Sequence, residues 1–553
     1  MQNTKHTIWA KSKTLVKLSA LSSALLFAFN SNAFAAKVPA GVQLAEKQEL
    51  VVDGTEPETL DPQKMSGSPE GVIARQLFEG LINHDAEGKI EPGVAVSWEH
   101  SPDYKVWTFK LRPEAKWSNG EPVTAHDFVY AWRRLGDPKN GSPYADYLEI
   151  LKLENATEVV KGEKPTDALG VKAIDDHTLE MTLSQSLPYA VQLVGHYIMF
   201  PTHQKTVEKF GDKWTQPANF VGNGAYILKE RVVNEKTVFE RNKHYWDDAA
   251  TVINKATIVV TTGDSAGINR YRANEFHMAA VPPTMFKKIK EEYPNELFIN
   301  SKLTNLTYEM NLDSKAFTDL RVRKALDLAV DRSIITDKVT GRGETPTFTF
   351  TPKAIVGAEK IKDPEYANWT QAEREAEAKK LLAEAGYNKK NPLKFEMLYT
   401  KSDLLTNIGV ALGSMWKKVF DGAVEVTLKQ QEWKTYLNTK RERQFDMTFA
   451  SWGADYNEAT TYLTYFLTGG NFNRIGFSNK EYDDLIASSY TAPSDEARQE
   501  IYAKAEAILD AQHPFISLYN PVGVFVKKPY LKGYEGKDPQ SNYRYKDWYF
   551  EKH

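Results

Sequence analysis

VWTFKLRPEAKWSNGEPVTAHDFVYAW, residues 106–132, carries a strand, a turn and a helix in that order. Trp107, Phe109 and Leu111 alternate with polar neighbours, the period-two pattern of a strand with one buried face. Ser118-Asn119-Gly120 supplies the chemistry of a turn. Thr124 precedes Asp127 by three positions, a capping-box-like start for the helix DFVYAWRRL. The same grammar continues outward. VGNGAYILKERVVNEKTVFERN (221–242) reads as a turn and two alternating strands. TQAEREAEAKKLLAEA (370–385) reads as an amphipathic helix ended by Gly386, and SDEARQEIYAKAEAIL (494–509) as another, capped by Ser494. Short strands and helices alternating irregularly predict an α/β or α+β chain with mixed sheets. No internal repeat, low-complexity segment or long Gly/Ser linker separates domains, so short connections are expected between them.

The chain opens as a secretory signal peptide does. Lys5, Lys11, Lys13 and Lys17 precede the apolar run LSALSSALLFAF, and Ala33-Phe34-Ala35 offers a cleavage site. Cleavage there leaves a mature chain of about 518 residues. No later apolar run is long enough for a transmembrane helix, so a soluble product without membrane insertion is expected. The net charge is −3, from 70 basic and 73 acidic residues. It becomes −7 once the four leader lysines are lost, which argues against a nucleic-acid or anionic-membrane partner. There is no cysteine. That excludes disulfides, thiolate metal sites, a cysteine nucleophile and a lipid-modified N-terminal cysteine. Stability must come from a large core, which this length supports over about three domains. The 12 Trp and 27 Tyr fill cores, and they are also what a ligand cleft is built from.

One pattern suggests catalysis. Gly263-Asp264-Ser265-Ala266-Gly267 fits G-x-S-x-G, after the apolar run ATIVV and before the helical pattern INRYRANEF, the setting of a nucleophile elbow. The plainer reading is that Ser265 or Asp264 caps a helix. Only His277, His513 and His553 follow as candidate bases, and none sits in a suggestive loop. No H-E-x-x-H or phosphate-binding G-x-x-x-x-G-K-[ST] occurs, and the 11 histidines are scattered. His126, at a helix start, reads as a surface or core residue. No cofactor and no metal are expected. A large secreted chain, rich in aromatics and without catalytic apparatus, fits a binding protein.

FASWGADYNEAT (449–460) follows the charged run TKRERQFD. Asp455 is either a turn or cap residue or a carboxylate for a cation, and the residues alone leave both readings open.

Several stretches, in this order along the chain, resemble the periplasmic peptide-binding proteins of ABC importers. They are LDPQK (60–64), LFEGL (77–81), the 106–132 stretch, VGNGAYILKERVVNEK (221–236), QEWKTYL (431–437), WGADYNEAT (452–460) and KPYLKGYEGKDP (528–539). The resemblance runs from Val38 to His553 and is nearest the oligopeptide- and murein-peptide-binding members. It implies a two-lobed periplasmic binding protein of α/β class, with an additional domain on the first lobe and a ligand cleft between lobes that close on the ligand. By analogy lobe one takes 36–79, 204–303 and 521–553, the additional domain 80–203, and lobe two 304–520. It implies a monomer that captures peptides in the periplasm and passes them to an inner-membrane ABC permease.

The resemblance also implies site residues. Asp455 meets the ligand's terminal ammonium, which needs a carboxylate once buried. Gly453 and Ala454 leave room for close approach. Trp452 and Trp433 supply flat walls, and Tyr144 a wall and a hydroxyl. The ligand backbone pairs near Ser451 and Gly453 by strand addition, which reads main chain and not side chains. Ser68 also falls at a binding position.

At the other end of the ligand the chain departs from the family. Phe449, Leu405 and Thr340 stand where relatives carry basic or histidine side chains, and Ser66 stands where they carry a glutamate. Thr304 and Gly453 replace a cysteine pair. Lys440 and Arg441 remain, either as substitutes for the lost charges or as a solvated run, the second being the reading for Arg441. The rival readings are the same fold holding a murein peptide, haem or a nickel complex, a secreted serine hydrolase using Ser265, and a chaperone-like or adhesive role.

Overall fold

The computed structural model describes residues 38–261, 265–470 and 472–553, with the side chains of Trp433 and Lys434 left out. The leader, and Gly263 and Asp264 of the G-x-S-x-G pattern, lie outside the described residues.

The opening stretch folds as its pattern predicts. Val106–Leu111 is a strand whose Trp107, Phe109 and Leu111 are buried. Gly120 takes φ +87° in the turn, which closes with the Trp117 amide donating to Glu121 O at 2.8 Å. Helix Ala125–Gly136 starts on a capping box, the Thr124 amide donating to Asp127 Oδ2 at 2.8 Å. Phe128, Trp132 and Leu135 bury its apolar face. Strands Ala95–His100, Val106–Leu111, Thr178–Thr182 and Val171–Asp175 pair in that order as an antiparallel sheet.

A seven-stranded mixed sheet runs Leu297–Ser301, Val522–Lys527, Met278–Ala280, Glu49–Gly54, Lys255–Val260, Lys236–Arg241 and Tyr226–Val232. Glu49–Gly54 is parallel to both of its neighbours. The last two strands are the hairpin read at 221–242, with Asn234 at φ 61° in its turn. One buried core joins this sheet to the four-stranded one, from Leu50 through Trp107 and Trp132 to Tyr226 and Trp548. The additional domain is therefore fused to the first lobe by packing.

Lobe two is built on a six-stranded sheet: Thr345–Pro346, Phe515–Asn520, Thr304–Met310, Met447–Gly453, Leu393–Thr400 and Val424–Gln431. Helices Gln371–Glu384 and Asp495–Gln512 start on Thr370 and Ser494, as the sequence reading has them. The second runs three residues past Leu509 and stops where His513 takes φ 44°. The chain crosses between the two large sheets at two neighbouring places. One is Lys302-Leu303, between consecutive strands, and the other is Pro521. The Lys302 amide donates to Pro521 O at 3.3 Å, tying the crossings together.

Candidate functional site

Met447–Gly453 is a central strand with one incomplete edge. Thr304–Met310 pairs with all of it, Thr304 opposite Gly453 through Met310 opposite Met447. On the other side Leu393–Thr400 pairs only at Met447 and Thr448. From Phe449 to Gly453 no described strand completes that edge. Thr304 and Gly453, read as standing in place of a cysteine pair, face each other directly, and a Cβ on Gly453 would lie 3.4 Å from Thr304 Oγ1.

The loop after this strand is held at several points. The Ala454 amide donates to Leu303 O at 2.9 Å, and the Asp455 amide to Thr461 Oγ1 at 3.3 Å. Trp452 Nε1 donates to Thr461 O at 2.8 Å. Gln540 Nε2, from the C-terminal segment, donates to Ala454 O at 3.4 Å. Tyr456 buries its ring in the core shared by the first lobe and the additional domain, stacked on Tyr189 at 6.1 Å. Asp455 therefore sits on a fixed loop where all three parts of the molecule meet.

Asp455 is half-buried. The Tyr144 hydroxyl, from the additional domain, donates to its Oδ1 at 3.1 Å. No cation lies within ion-pair distance of it among the described residues. Burial pushes its carboxyl up to about 6, opposed by the Tyr144 hydrogen bond and reinforced by the charge of Asp146. An incoming ammonium would meet an incompletely satisfied carboxylate there, the condition under which a buried ion pair forms with gain.

Tyr144 is itself positioned by rings that the sequence reading missed. His196 stacks on it at 5.8 Å and 6°, and also on Tyr147 at 4.9 Å. Tyr197 packs on His196 at 4.2 Å, and its hydroxyl donates to Gly67 O at 3.1 Å. Burial lowers the His196 imidazole to about 3, so it acts as a neutral ring. Nothing in HYIMF (196–200) marks these residues, because their partner lies some fifty positions upstream.

The other expected residues divide. Ser451 is exposed on the open edge, its hydroxyl donating to Asn305 O at 2.9 Å. Trp452 packs edge-on against Tyr465 at 5.2 Å and Phe472 at 4.7 Å, a half-buried aromatic wall. Ser68 is exposed at the start of helix Ser68–Leu77, with Tyr197 bonding the preceding Gly67. The Trp433 side chain lies outside the described residues.

Lys440 has a partner inside lobe two. Expected at the ligand, it pairs internally with Glu309 at 3.0 Å, the glutamate buried and the lysine largely so. The Tyr465 hydroxyl donates to the other Glu309 oxygen at 2.7 Å. Glu309 holds the Lys440 ammonium in its charged form against burial, raising its pKa. Lys440 is therefore not a spare cation for a ligand. Arg441 is exposed, as a solvated residue is. Of the substituted positions, Leu405 and Thr340 are buried, Thr340 donating to Glu344 at 2.8 Å, while Phe449 is half-buried and Ser66 exposed.

Ser265 is exposed before helix Ala266–Arg272 and makes no capping hydrogen bond through its side chain. The candidate bases are engaged elsewhere. His277 Nδ1 accepts from the Val51 amide at 3.0 Å, and His513 Nδ1 bonds Asp327 at 2.9 Å inside lobe two. Among the described residues no group of three or more His, Asp or Glu is placed to hold a metal ion, and no helix is long and apolar enough to cross a membrane.

The chain is similar to known proteins over most of its length. The chain is 46% identical over 536 residues to the periplasmic oligopeptide-binding protein OppA of Haemophilus influenzae, covering 96% of this chain and 99% of that one. It is 41% identical to the periplasmic murein peptide-binding protein MppA of Escherichia coli, over 97% and 99% of the two chains. The crystal structure of Haemophilus influenzae OppA in complex with RPPGFSPFR superposes with a TM-score of 0.78, over 92% of this chain and 100% of that one. MppA in its unliganded open form gives 0.82 at 41% identity, over 93% and 99%. The family model described as bacterial extracellular solute-binding proteins, family 5 Middle, matches residues 89–474. With most of its length matched and its two-lobed architecture shared, the chain belongs to the family 5 bacterial extracellular solute-binding proteins.

Proposed function

We propose that this protein is the periplasmic peptide-capturing component of an ABC importer. It holds its ligand along the open edge of Met447–Gly453, with the ligand's α-ammonium on Asp455, and delivers it to an inner-membrane permease. The carrying observation is the Asp455 carboxylate, desolvated, given one hydrogen bond by Tyr144 and, among the described residues, no cation, at the end of a strand edge that no described strand completes. Main-chain pairing at Ser451 and Gly453 supplies affinity without side-chain choice. Relatives that bind oligopeptides support this class of ligand. The division into lobe one (36–79, 204–303, 521–553), additional domain (80–203) and lobe two (304–520) follows from the same reading, with the sheet-to-sheet crossings at Lys302-Leu303 and Pro521 in its favour. So do export on a cleaved leader without a lipid anchor, a monomeric state, and binding without turnover.

The test is calorimetry with free and N-acetylated peptides on wild type and Asp455→Asn. Each change alone should cost roughly 2–5 kcal/mol, the range for removing one partner of a buried charge pair. Together they should cost little more than either, because both remove one interaction. Equal binding of free and acetylated peptide would make Asp455 a turn residue.

A further inference from the structure

We propose that Tyr436 sets the length of ligand backbone that this site can pair, by capping the open strand edge at Phe449. The inference rests on the strand-addition reading above. In a strand, the amide and carbonyl of alternate residues point to the same side. The Trp452 amide points toward Thr304–Met310, donating to Asn305 Oδ1 at 3.1 Å, and so does the Ala454 amide, donating to Leu303 O. Phe449, Ser451 and Gly453 therefore present their main-chain groups to the open side.

The three are not equivalent. The Tyr436 hydroxyl donates to Phe449 O, and Thr448 Oγ1 donates to that hydroxyl at 3.4 Å. Tyr436 is only 2% exposed, on helix Trp433–Arg441, so its ring belongs to the core and only its oxygen reaches the strand. The hydroxyl occupies the edge direction that a ligand amide would use at Phe449. Ser451 and Gly453 remain, next to Asp455.

Strands advance about 3.3 Å per residue, so a ligand laid along this edge keeps pace with it. With its ammonium at Asp455, the ligand runs antiparallel to Met447–Gly453. Its residue 1 lies beside Gly453 and its residue 3 beside Ser451. Residue 5 would fall beside Phe449, where Tyr436 stands. Main-chain pairing thus ends after the third ligand residue, and longer peptides leave the edge there. The site is one for peptides read through three residues of backbone and a free ammonium, with no main-chain demand beyond.

The test is a backbone scan. Hexa-alanine is made with one N-methylated amide at each of positions 2 to 6, and affinity is measured by calorimetry on the mature protein. In wild type, residue 3 should be the last position where methylation is costly, by about fivefold or more for one lost hydrogen bond. Positions 4 to 6 should change affinity less than about twofold. Tyr436→Phe frees the Phe449 carbonyl and should make position 5 costly by about fivefold. Costly methylation beyond residue 3 in wild type overturns the proposal without recourse to the variant, and so does an unchanged profile in a folded Tyr436→Phe. Failure of unmethylated hexa-alanine to bind at all would instead remove the peptide reading itself, and this inference with it.

Discussion

Asp455 ties a residue's protonation to its task. Its carboxyl sits near pH 6 without ligand, raised by burial. The sign for binding follows. Above that value the carboxylate is charged and ready for an ammonium, and below it the site is neutral. Peptide affinity should therefore fall as pH drops through 6, by up to about tenfold per unit. The sign for folding is opposite. A carboxyl whose pKa is raised on folding contributes stability that is lost as pH rises through 4 to 6, so Asp455→Asn should stabilise the ligand-free protein at pH 7, by about 1–3 kcal/mol. Urea titrations at pH 4.5 and 7 test this, and a variant less stable at pH 7 contradicts it. The importance of Asp455 came from resemblance and not from its neighbours in sequence. Its actual neighbour, Tyr144, lies 311 positions away, and no pattern in a single chain announces such a contact.

At the level of elements, local rules went far where the deciding chemistry is local. The capping box Thr124/Asp127, the cap at Ser494 and the stop at Gly386 all involve residues within a few positions. The TKRERQ run shows where such rules fail. A charged helix end predicts solvent, and Arg441 obeys, but Lys440 turns inward to Glu309, 131 residues away on the neighbouring strand system. Glu309→Gln should cost about 3–5 kcal/mol of stability, because it leaves a buried ammonium uncompensated. A denaturation midpoint unmoved by the change would show Lys440 reaching water. With Lys440 matched and Phe449, Leu405 and Thr340 uncharged, amidating a ligand's C-terminus should change affinity by less than about 1 kcal/mol. Calorimetry on matched acid and amide peptides of two to six residues checks this. A large loss at one length would locate a cation that still holds the carboxylate.

At the scale of the whole molecule, mixed sheets were legible from alternating short elements, and more than one domain from the length. The two-lobed plan was not, since it depends on which distant strands share a sheet. Closure of the lobes about the paired crossings at Lys302-Leu303 and Pro521 should shrink the scattering radius when peptide binds, and binding should raise the melting temperature. A scattering profile unchanged at saturating peptide would count against closure.

The crossing at Pro521 has a temporal side. Val522–Lys527 lies between Leu297–Ser301 and Met278–Ala280, so the first sheet is missing an interior strand until the last few dozen residues arrive. A polypeptide delivered N-terminus first, from a ribosome or through a membrane pore, cannot finish its first lobe early. Lobe two's own sheet also waits for Phe515–Asn520. The two large sheets thus share one late requirement, while the four-stranded sheet of residues 95–182 is complete without it. Such late wiring delays completion of both large sheets until the C-terminal strands are delivered, a consequence written into strand order.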